Sequence, residues 1–237
     1  MESHIRDGEE PHSDIASGQP VPSGGAGGDP GQSQGVGDPQ GPVERVYRWP
    51  TLEEIRNILY ELAVGLTDRS GKPLPAFQIE NQSYLESALG LPHQPYYRTF
   101  HNALAAMVRS IAANHPLVDG NKRLAVTVLH STLLVNGFIY LWDDDDAVAL
   151  ALRCATGETD FGWLSEFIEI WAAPVDLGPV RMDAVPLMTL MEQQRSVLSP
   201  LWADRGKARH LMSAHARGRA DEQQVAVLLD AVRAGEI

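Results

Sequence analysis

Apolar residues recur at intervals of three and four positions along much of the chain, which is the spacing of one helix face. A first helix is predicted from Leu52, because Thr51 is a suitable N-cap and acidic residues follow in the first turn. A short second helix is predicted to close at Gly90, and a strongly amphipathic third helix to begin at Phe100. Between the first two helices, residues 68–82 contain a glycine and two prolines and are predicted to form a loop or a short hairpin.

The segment 124–135 is apolar around nearly the whole helical wheel, which is typical of a helix at the buried centre of a bundle. Asn136 and Gly137 are residues common at the end of a helix. Residues 138–142 could form a short extended piece, but the domain has almost no other strand pattern. Two further helices are predicted over 143–156 and 160–172. With five or six helices before residue 173, the predicted fold class of the main domain is all-α.

Composition divides the chain into three parts. Residues 1–42 hold 10 of the 21 glycines, seven acidic residues against one arginine, and no aromatic residue. Such a segment buries too little apolar surface to offset its ordering entropy, so it is predicted to be a disordered tail. A domain is predicted over 43–173, and Pro174 begins a helical C-terminal extension, 174–237. The pattern leaves open whether this extension is a separate addition or packs on the core of the domain.

The net charge of −12 and the isoelectric point near 5.0 argue against a general nucleic-acid-binding protein. The basic segment 205–219 could contact DNA in a regulator, but a solvated helical face is the better explanation, since the chain is acidic. The single cysteine, Cys154, excludes a disulfide within the chain and suits a reducing compartment. The N-terminus lacks the apolar core of a signal peptide, and no apolar stretch is long enough for a membrane span. A cytoplasmic location is therefore expected, with neither a membrane nor a nucleic-acid partner.

Residues 114–123, NHPLVDGNKR, lie between two apolar helical patterns and resemble neither. If the helix that follows this segment begins near Asn121, the backbone N–H groups of Gly120 and the next two residues are unpaired donors at the positive end of a helix dipole. Glycine there also allows unusual backbone angles and the close approach of a ligand. Lys122 and Arg123 add two cations, which are unfavourable at this end of a helix unless an anion binds. The segment therefore predicts a turn that binds phosphate.

Asp119 and His115 add a carboxylate and an imidazole to this turn. A carboxylate beside bound phosphates commonly holds Mg²⁺, an ion that keeps most of its waters. A neutral imidazole could take the proton of an attacking hydroxyl. Together these groups suggest the transfer of a phosphorus-containing group from a nucleotide to a hydroxyl. The alternative of a zinc site is weak, because the spacing of His115 with His101 and His130 matches no zinc pattern.

The stretch HPLVDGNKR resembles the signature of the Fic/Doc (Fido) family, H-P-F-x-[D/E]-G-N-[G/K]-R. It matches at His115, at Pro116 and at every position from Asp119 to Arg123. The flanking stretches ENQSYLESALGLP, LVNGF and ALRCATGETDFGWLSEFIEIW are similar to segments of the death-on-curing (Doc) toxins. The resemblance covers roughly residues 50–172. It implies a Fido-type helical bundle in which the motif loop leads into a buried central helix.

The resemblance also implies a role for each motif residue. His115 would be the general base towards a Ser, Thr or Tyr hydroxyl on a target protein, and Asp119 would bind Mg²⁺. The segment 72–82 would correspond to a flap that aligns the target as an added strand. The phosphates of ATP, or of another nucleoside triphosphate, would be bound by four consecutive residues: Gly120, Asn121, Lys122 and Arg123.

Two positions of the motif, Lys122 and Gly120, bear on which group is transferred, whereas a third departure from the signature, Leu117, does not. Leu117 stands where the family commonly has Phe, and both are apolar anchors. Lys122 stands where AMP-transferring members typically have Gly; in Doc-like toxins a lysine here accompanies transfer of the γ-phosphate. Gly120, in contrast, is the residue of the AMP transferases, whereas the phage toxin has Ala.

With Lys122 weighted more, the sequence predicts a Doc-like toxin that phosphorylates a target protein, a translation elongation factor being the family's precedent. Transfer of AMP, or of another nucleoside monophosphate, is the first alternative. A non-catalytic Fido-fold binding module is the second. Many Fic proteins carry an inhibitory helix with the pattern [S/T]-x-x-x-E-[G/N], which this sequence lacks. Inhibition is therefore expected from a separate antitoxin chain whose peptide fills the groove beside Arg123.

Overall fold

The computed structural model of the chain describes residues 46–64, 77–175, 196 and 200–237. These residues are mostly helical, as the sequence predicts, and their strands are confined to one short two-stranded sheet. The predicted tail, 1–42, lies outside the described residues, as does most of the first part of the predicted extension, 176–195 and 197–199.

The described residues of the predicted domain form six helices and one sheet, whose second strand ends one residue beyond it. The helices are α1 (Leu52–Ala63), α2 (Gln82–Gly90), α3 (Phe100–Ala113), α4 (Asn121–Val135), α5 (Asp144–Thr156) and α6 (Phe161–Trp171), with a 3₁₀ turn at Leu91–His93. The strands are β1 (Phe138–Tyr140) and β2 (Ala172–Pro174). Three further helices follow in the described C-terminal part: α7 (Pro200–Ala203), α8 (Arg205–Ala216) and α9 (Glu222–Ala234).

Side-chain caps fix where most of these helices begin. The hydroxyl of Thr51 accepts from the backbone N–H of Glu54 at 3.2 Å, and the Glu54 carboxylate accepts from the N–H of Thr51 at 2.9 Å. This reciprocal capping box starts α1 at the predicted position. At α5, the carboxylate of Asp143 accepts from the N–H of Asp146 at 3.0 Å. The acidic run before α5 therefore includes an N-cap.

The core of the bundle surrounds α3. This helix buries nine side chains and packs against α2, α4, α5 and α6. The sequence predicted α4 as the buried centre, but α4 lies beside α3 with one face towards solvent. Val126 is only partly buried and Val135 is exposed, although both fit the apolar pattern. On the buried side, α5 contributes the single cysteine, Cys154, whose pKa burial raises to about 11.

The small sheet joins the chain that leaves α4 to the chain that leaves α6. Its strands are antiparallel, with Ile139 opposite Ala173 and Tyr140 opposite Ala172. The extended piece at β1 agrees with the sequence, whereas β2 was not predicted. At its edge, the N–H of Leu141 donates to the carbonyl of Trp171 at 3.0 Å.

The described C-terminal helices belong to the same core. Leu211 of α8 and Leu228 of α9 are buried in the hydrophobic cluster that also holds α3 and α4. Arg233 of α9 makes a two-pronged ion pair with Glu169 of α6, at 2.9 and 3.0 Å. The sequence left open whether the C-terminal extension is a separate addition or packs on the core. Residues 200–237 of the extension pack on the domain. The division at 173/174 itself stays a prediction.

A buried polar cluster links α5 to α8. The carboxylate of Asp146, on α5, accepts from the Ser213 hydroxyl at 3.0 Å and pairs with the guanidinium of Arg217. Asp146 is almost completely buried, so this pairing is sheltered from water on the carboxylate side.

Along the described ranges, no helix is sufficiently long and apolar to pass through a membrane.

Candidate active site

The motif residues form the loop that connects α3 to α4 and the first residues of α4. His115 is exposed and has a positive φ of 49°, a conformation that costs free energy for a non-glycine residue. The loop then turns inward, because the side chains of Pro116 and Leu117 are buried. Leu117 thus serves as an apolar anchor, as expected for the residue that replaces phenylalanine. The result is a loop held at its middle, with His115 on the solvent side.

Asn121 closes the loop from within. Its side-chain carbonyl accepts from the N–H of Leu117 at 2.8 Å, and its side-chain NH₂ donates to the carbonyl of Leu117 at 2.9 Å. The residue is only 7% exposed. Its amide therefore braces the loop, and only its backbone N–H faces the predicted anion site.

The segment 77–81 lies antiparallel to the loop and is hydrogen-bonded to it. The N–H of Phe77 donates to the carbonyl of Asp119 at 3.0 Å, and the N–H of Val118 donates to the carbonyl of Gln78 at 3.0 Å. Ile79 and Leu117 form the bridge between the two segments. The described end of the predicted flap, 77–82, is thus attached to the motif loop, while 72–76 lies outside the described residues.

The start of α4 has no side-chain cap. Gly120 occupies the N-cap position with φ 90° and ψ 7°, in the left-handed region that favours glycine. Within the described chain, the N–H groups of Asn121, Lys122 and Arg123 find no acceptor. The N–H of Gly120 differs from the expectation, since it donates to the Asp119 carboxylate at 2.6 Å. The three unpaired donors are therefore those of residues 121–123, one residue further along the helix than the expected 120–122.

The two cations beside these donors are exposed. Lys122 and Arg123 form no ion pair in the described part of the chain. Two cations and three unpaired N–H groups thus meet at the positive end of one helix. This combination is electrostatically unfavourable by itself, and a bound anion would relieve it.

Asp119 fits the coordination that Mg²⁺ prefers beside phosphates. One carboxylate oxygen accepts from Gly120, and the other has no hydrogen bond in the described ranges. No group of three or more His, Cys, Asp or Glu side chains in those ranges could hold a metal ion. A Mg²⁺ ion here would take one carboxylate oxygen from the protein and complete its shell with phosphate and water oxygens, which is usual for this ion.

His130, one of the two other histidines considered for a zinc site, has a structural role. His130 accepts from the indole N–H of Trp142 at 2.8 Å and stacks on Tyr140. Burial lowers the pKa of His130 to about 4, against a smaller raising effect of Asp144. His130 is thus a neutral acceptor within the fold.

Phe77 is the residue of this site that the sequence did not reveal. It is 6% exposed, and its ring lies against Gly120: a Cβ atom built on Gly120 would lie 2.6 Å from Cδ1 of the ring and 3.2 Å from Cζ. The motif glycine is therefore in contact with an aromatic ring 43 residues earlier in the chain. No periodicity or motif connects the two positions.

Comparison with known proteins adds no relative to this picture. No protein-family model, no curated protein and no solved structure matches the chain. The functional conclusion therefore depends on the motif and its geometry.

Proposed function

We propose that this protein is a Doc-like enzyme of the Fido type, which transfers the γ-phosphoryl group of a nucleoside triphosphate to a hydroxyl of a target protein. The observation that carries the proposal is the start of α4. Among the residues that the structure describes, three backbone N–H groups there have no acceptor, and the neighbouring Lys122 and Arg123 have no carboxylate partner. This arrangement suits a polyphosphate better than any neutral ligand.

In the proposed reaction, His115 accepts the proton of the target hydroxyl. The hydroxyl oxygen then forms a bond to the γ-phosphorus, and the bond from that phosphorus to the β–γ bridging oxygen breaks. The products are a phosphorylated protein and a nucleoside diphosphate. Mg²⁺ held by Asp119 would neutralise phosphate charge. The backbone of Asn121 and the cations after it would bind and orient the phosphates.

Transfer of AMP is the nearest rival, and Gly120 is the residue that favours it. The contact of Gly120 with Phe77 gives this glycine a second explanation that does not involve the nucleotide. The weight of Lys122 in favour of phosphoryl transfer is therefore greater than the motif alone suggests. The separate antitoxin expected from the sequence remains part of the proposal, as does a cytoplasmic target.

The test is intact-mass spectrometry of a cell extract incubated with the protein and ATP·Mg²⁺. We expect a phosphate-sized addition on a host protein. His115→Ala should reduce its rate by roughly 10²–10⁴-fold, the usual contribution of a general base. His93→Ala is the matched control, because His93 is also exposed but lies in the turn after α2, outside the motif.

Other outcomes identify the alternatives. An AMP-sized addition that depends on His115 would identify a nucleotidyl transferase. A host protein modified equally by wild type and His115→Ala would contradict the proposed base. No modification by the wild-type protein, with target binding retained in His115→Ala, would favour the non-catalytic module.

A further inference from the structure

Phe77 has a backbone conformation that is unusual for an aromatic residue. Its φ of 70° is positive, and among the non-glycine residues that the structure describes only His115 shares this property. Such a conformation costs free energy, so the surrounding contacts must stabilise it. Both exceptions lie on the two hydrogen-bonded segments that meet at the motif loop.

Two contacts join Phe77 to the predicted metal and phosphate residues. The N–H of Phe77 donates to the carbonyl of Asp119 at 3.0 Å, which fixes the orientation of the peptide group between Asp119 and Gly120. The ring of Phe77 fills the space that a side chain at position 120 would occupy. One residue thus contacts the backbone of Asp119 on one side and the Cα face of Gly120 on the other.

We infer that Phe77 is a positioning residue of the active site and that glycine is required at position 120 chiefly by the Phe77 ring. The inference rests on the proposed function, because the role of Phe77 is to hold the Asp119 carboxylate and the start of α4 in a geometry suited to Mg²⁺ and phosphate. Phe77 itself acts through these neighbours. Removal of the Phe77 ring should therefore raise the Mg²⁺ concentration that transfer requires, an effect that a loss of stability alone does not produce.

The test is a double-mutant cycle with Phe77→Ala, Gly120→Ala and both changes together, in the full chain. The first readout is the thermal unfolding midpoint. Gly120→Ala should lower it by roughly 2–4 °C or more in the wild-type background, given the usual sensitivity of a fold of this size. In the Phe77→Ala background the loss should be less than half as large. The strain of alanine at φ 90° is present in both backgrounds, so it accounts for the remaining loss and cancels only in the difference between the two losses.

The second readout is the Mg²⁺ concentration that gives half-maximal transfer from ATP. Phe77→Ala should raise it by about 10-fold or more, the range found when a group that orients a metal ligand is removed. Phe100→Ala is the matched control. Phe100 is 4% exposed and lies at the opposite end of α3, roughly 20 Å along the helix from the loop. It should lower the unfolding midpoint while changing the Mg²⁺ requirement by less than about 2-fold.

Equal losses from Gly120→Ala in both backgrounds would overturn the steric requirement. An unchanged Mg²⁺ requirement in Phe77→Ala would overturn the positioning role. Failure of the proposed function has a different signature, since the wild-type protein itself would then transfer nothing. In that event the positioning role fails as well, and the unfolding cycle still decides whether the Phe77 ring is what requires glycine.

Discussion

Asn121 is a motif residue whose buried side chain holds the motif loop in shape. Its amide bridges the N–H and the carbonyl of Leu117 at 2.8 and 2.9 Å, away from solvent. Leu117 would otherwise bury both groups without partners. The loop that carries His115 and Asp119 is therefore held in shape by a side chain that need not touch the nucleotide.

Replacing Asn121 with Ala should destabilise the fold by about 2–4 kcal/mol, because it leaves a buried N–H and a buried carbonyl unsatisfied. Urea unfolding measures this loss. Asn114→Ala is the control, since Asn114 lies in the same loop but its exposed amide bonds only to the Ser110 hydroxyl, at 2.9 Å. The control should change stability by less than about 0.5 kcal/mol. Equal effects of the two substitutions would refute the bracing role of Asn121.

Single residues were predicted where their chemistry is local. The glycine at 120, the carboxylate at 119 and the two following cations could be assigned to one turn because they are adjacent in the sequence. Phe77 could not, because its ring reaches Gly120 across 43 residues and its positive φ has no sequence signature. The inward orientation of Asn121 also escaped prediction, since it depends on how the loop places the N–H and carbonyl of Leu117 beside the Asn121 amide.

At the scale of the helix, the sequence was informative where caps and periodicity agree. Thr51 begins α1 and Asn136 ends α4, both as predicted. The strand β2 escaped prediction because it is three residues long and exists through its pairing with β1. The apolar pattern of α4 overstated its burial, because Val126 only packs against the edge of the core and Val135 is exposed.

The pairing of α5 with α8 gives a prediction for these two helices. Asp146→Ala removes the carboxylate that pairs with Arg217 and accepts from Ser213, so it should destabilise the fold by about 2–3 kcal/mol. Chemical denaturation gives the value. Asp145→Ala changes the neighbouring exposed carboxylate on the same turn and should cost less than about 0.5 kcal/mol.

The double change Asp146→Ala with Arg217→Met separates the ion pair from simple packing. It should recover part of the lost stability, because the guanidinium, which is only 33% exposed, no longer lacks its partner. If the double variant were less stable than Asp146→Ala alone, the ion pair would not be the cause of the loss.

For the molecule as a whole, the buried histidine at the junction of α6 and α8 links stability to pH. His215 accepts from the indole N–H of Trp171 at 2.9 Å and is almost fully buried. Burial, and to a smaller extent the charge of Arg153, lowers its pKa to about 4. The folded state therefore holds the neutral imidazole, whereas the unfolded chain protonates near the ordinary pKa of 6.5.

Because the unfolded state binds more protons between pH 6.5 and about 4, the contribution of His215 is fully present above pH 6.5 and is lost as the pH falls to about 4. The loss should reach about 3 kcal/mol, from the usual conversion of a pKa difference. The free energy of unfolding in urea, measured across this range, should fall less steeply in His215→Gln, which keeps an acceptor for Trp171. His93→Gln, at an exposed histidine, should leave the slope unchanged. An unaltered slope in His215→Gln would contradict the assignment.

The overall architecture was predictable only in part. Periodicity predicts that the chain is helical, but it does not say that 200–237 packs on the core of the predicted domain. That packing depends on pairs such as Asp146 with Arg217 and Trp171 with His215, which are 71 and 44 residues apart in the sequence. Such pairs bring no local pattern, so only the folded chain reveals them.

The buried cysteine also makes the motif loop accessible to spectroscopy. Cys154 is the single cysteine of the chain, and burial keeps its thiol protonated and shielded from reagents. A cysteine introduced in place of exposed Val118, between His115 and Asp119, would therefore be the thiol that reacts with a fluorophore or a spin label. Binding of the proposed nucleotide at the loop could then be tested in real time without removing any native residue of the core.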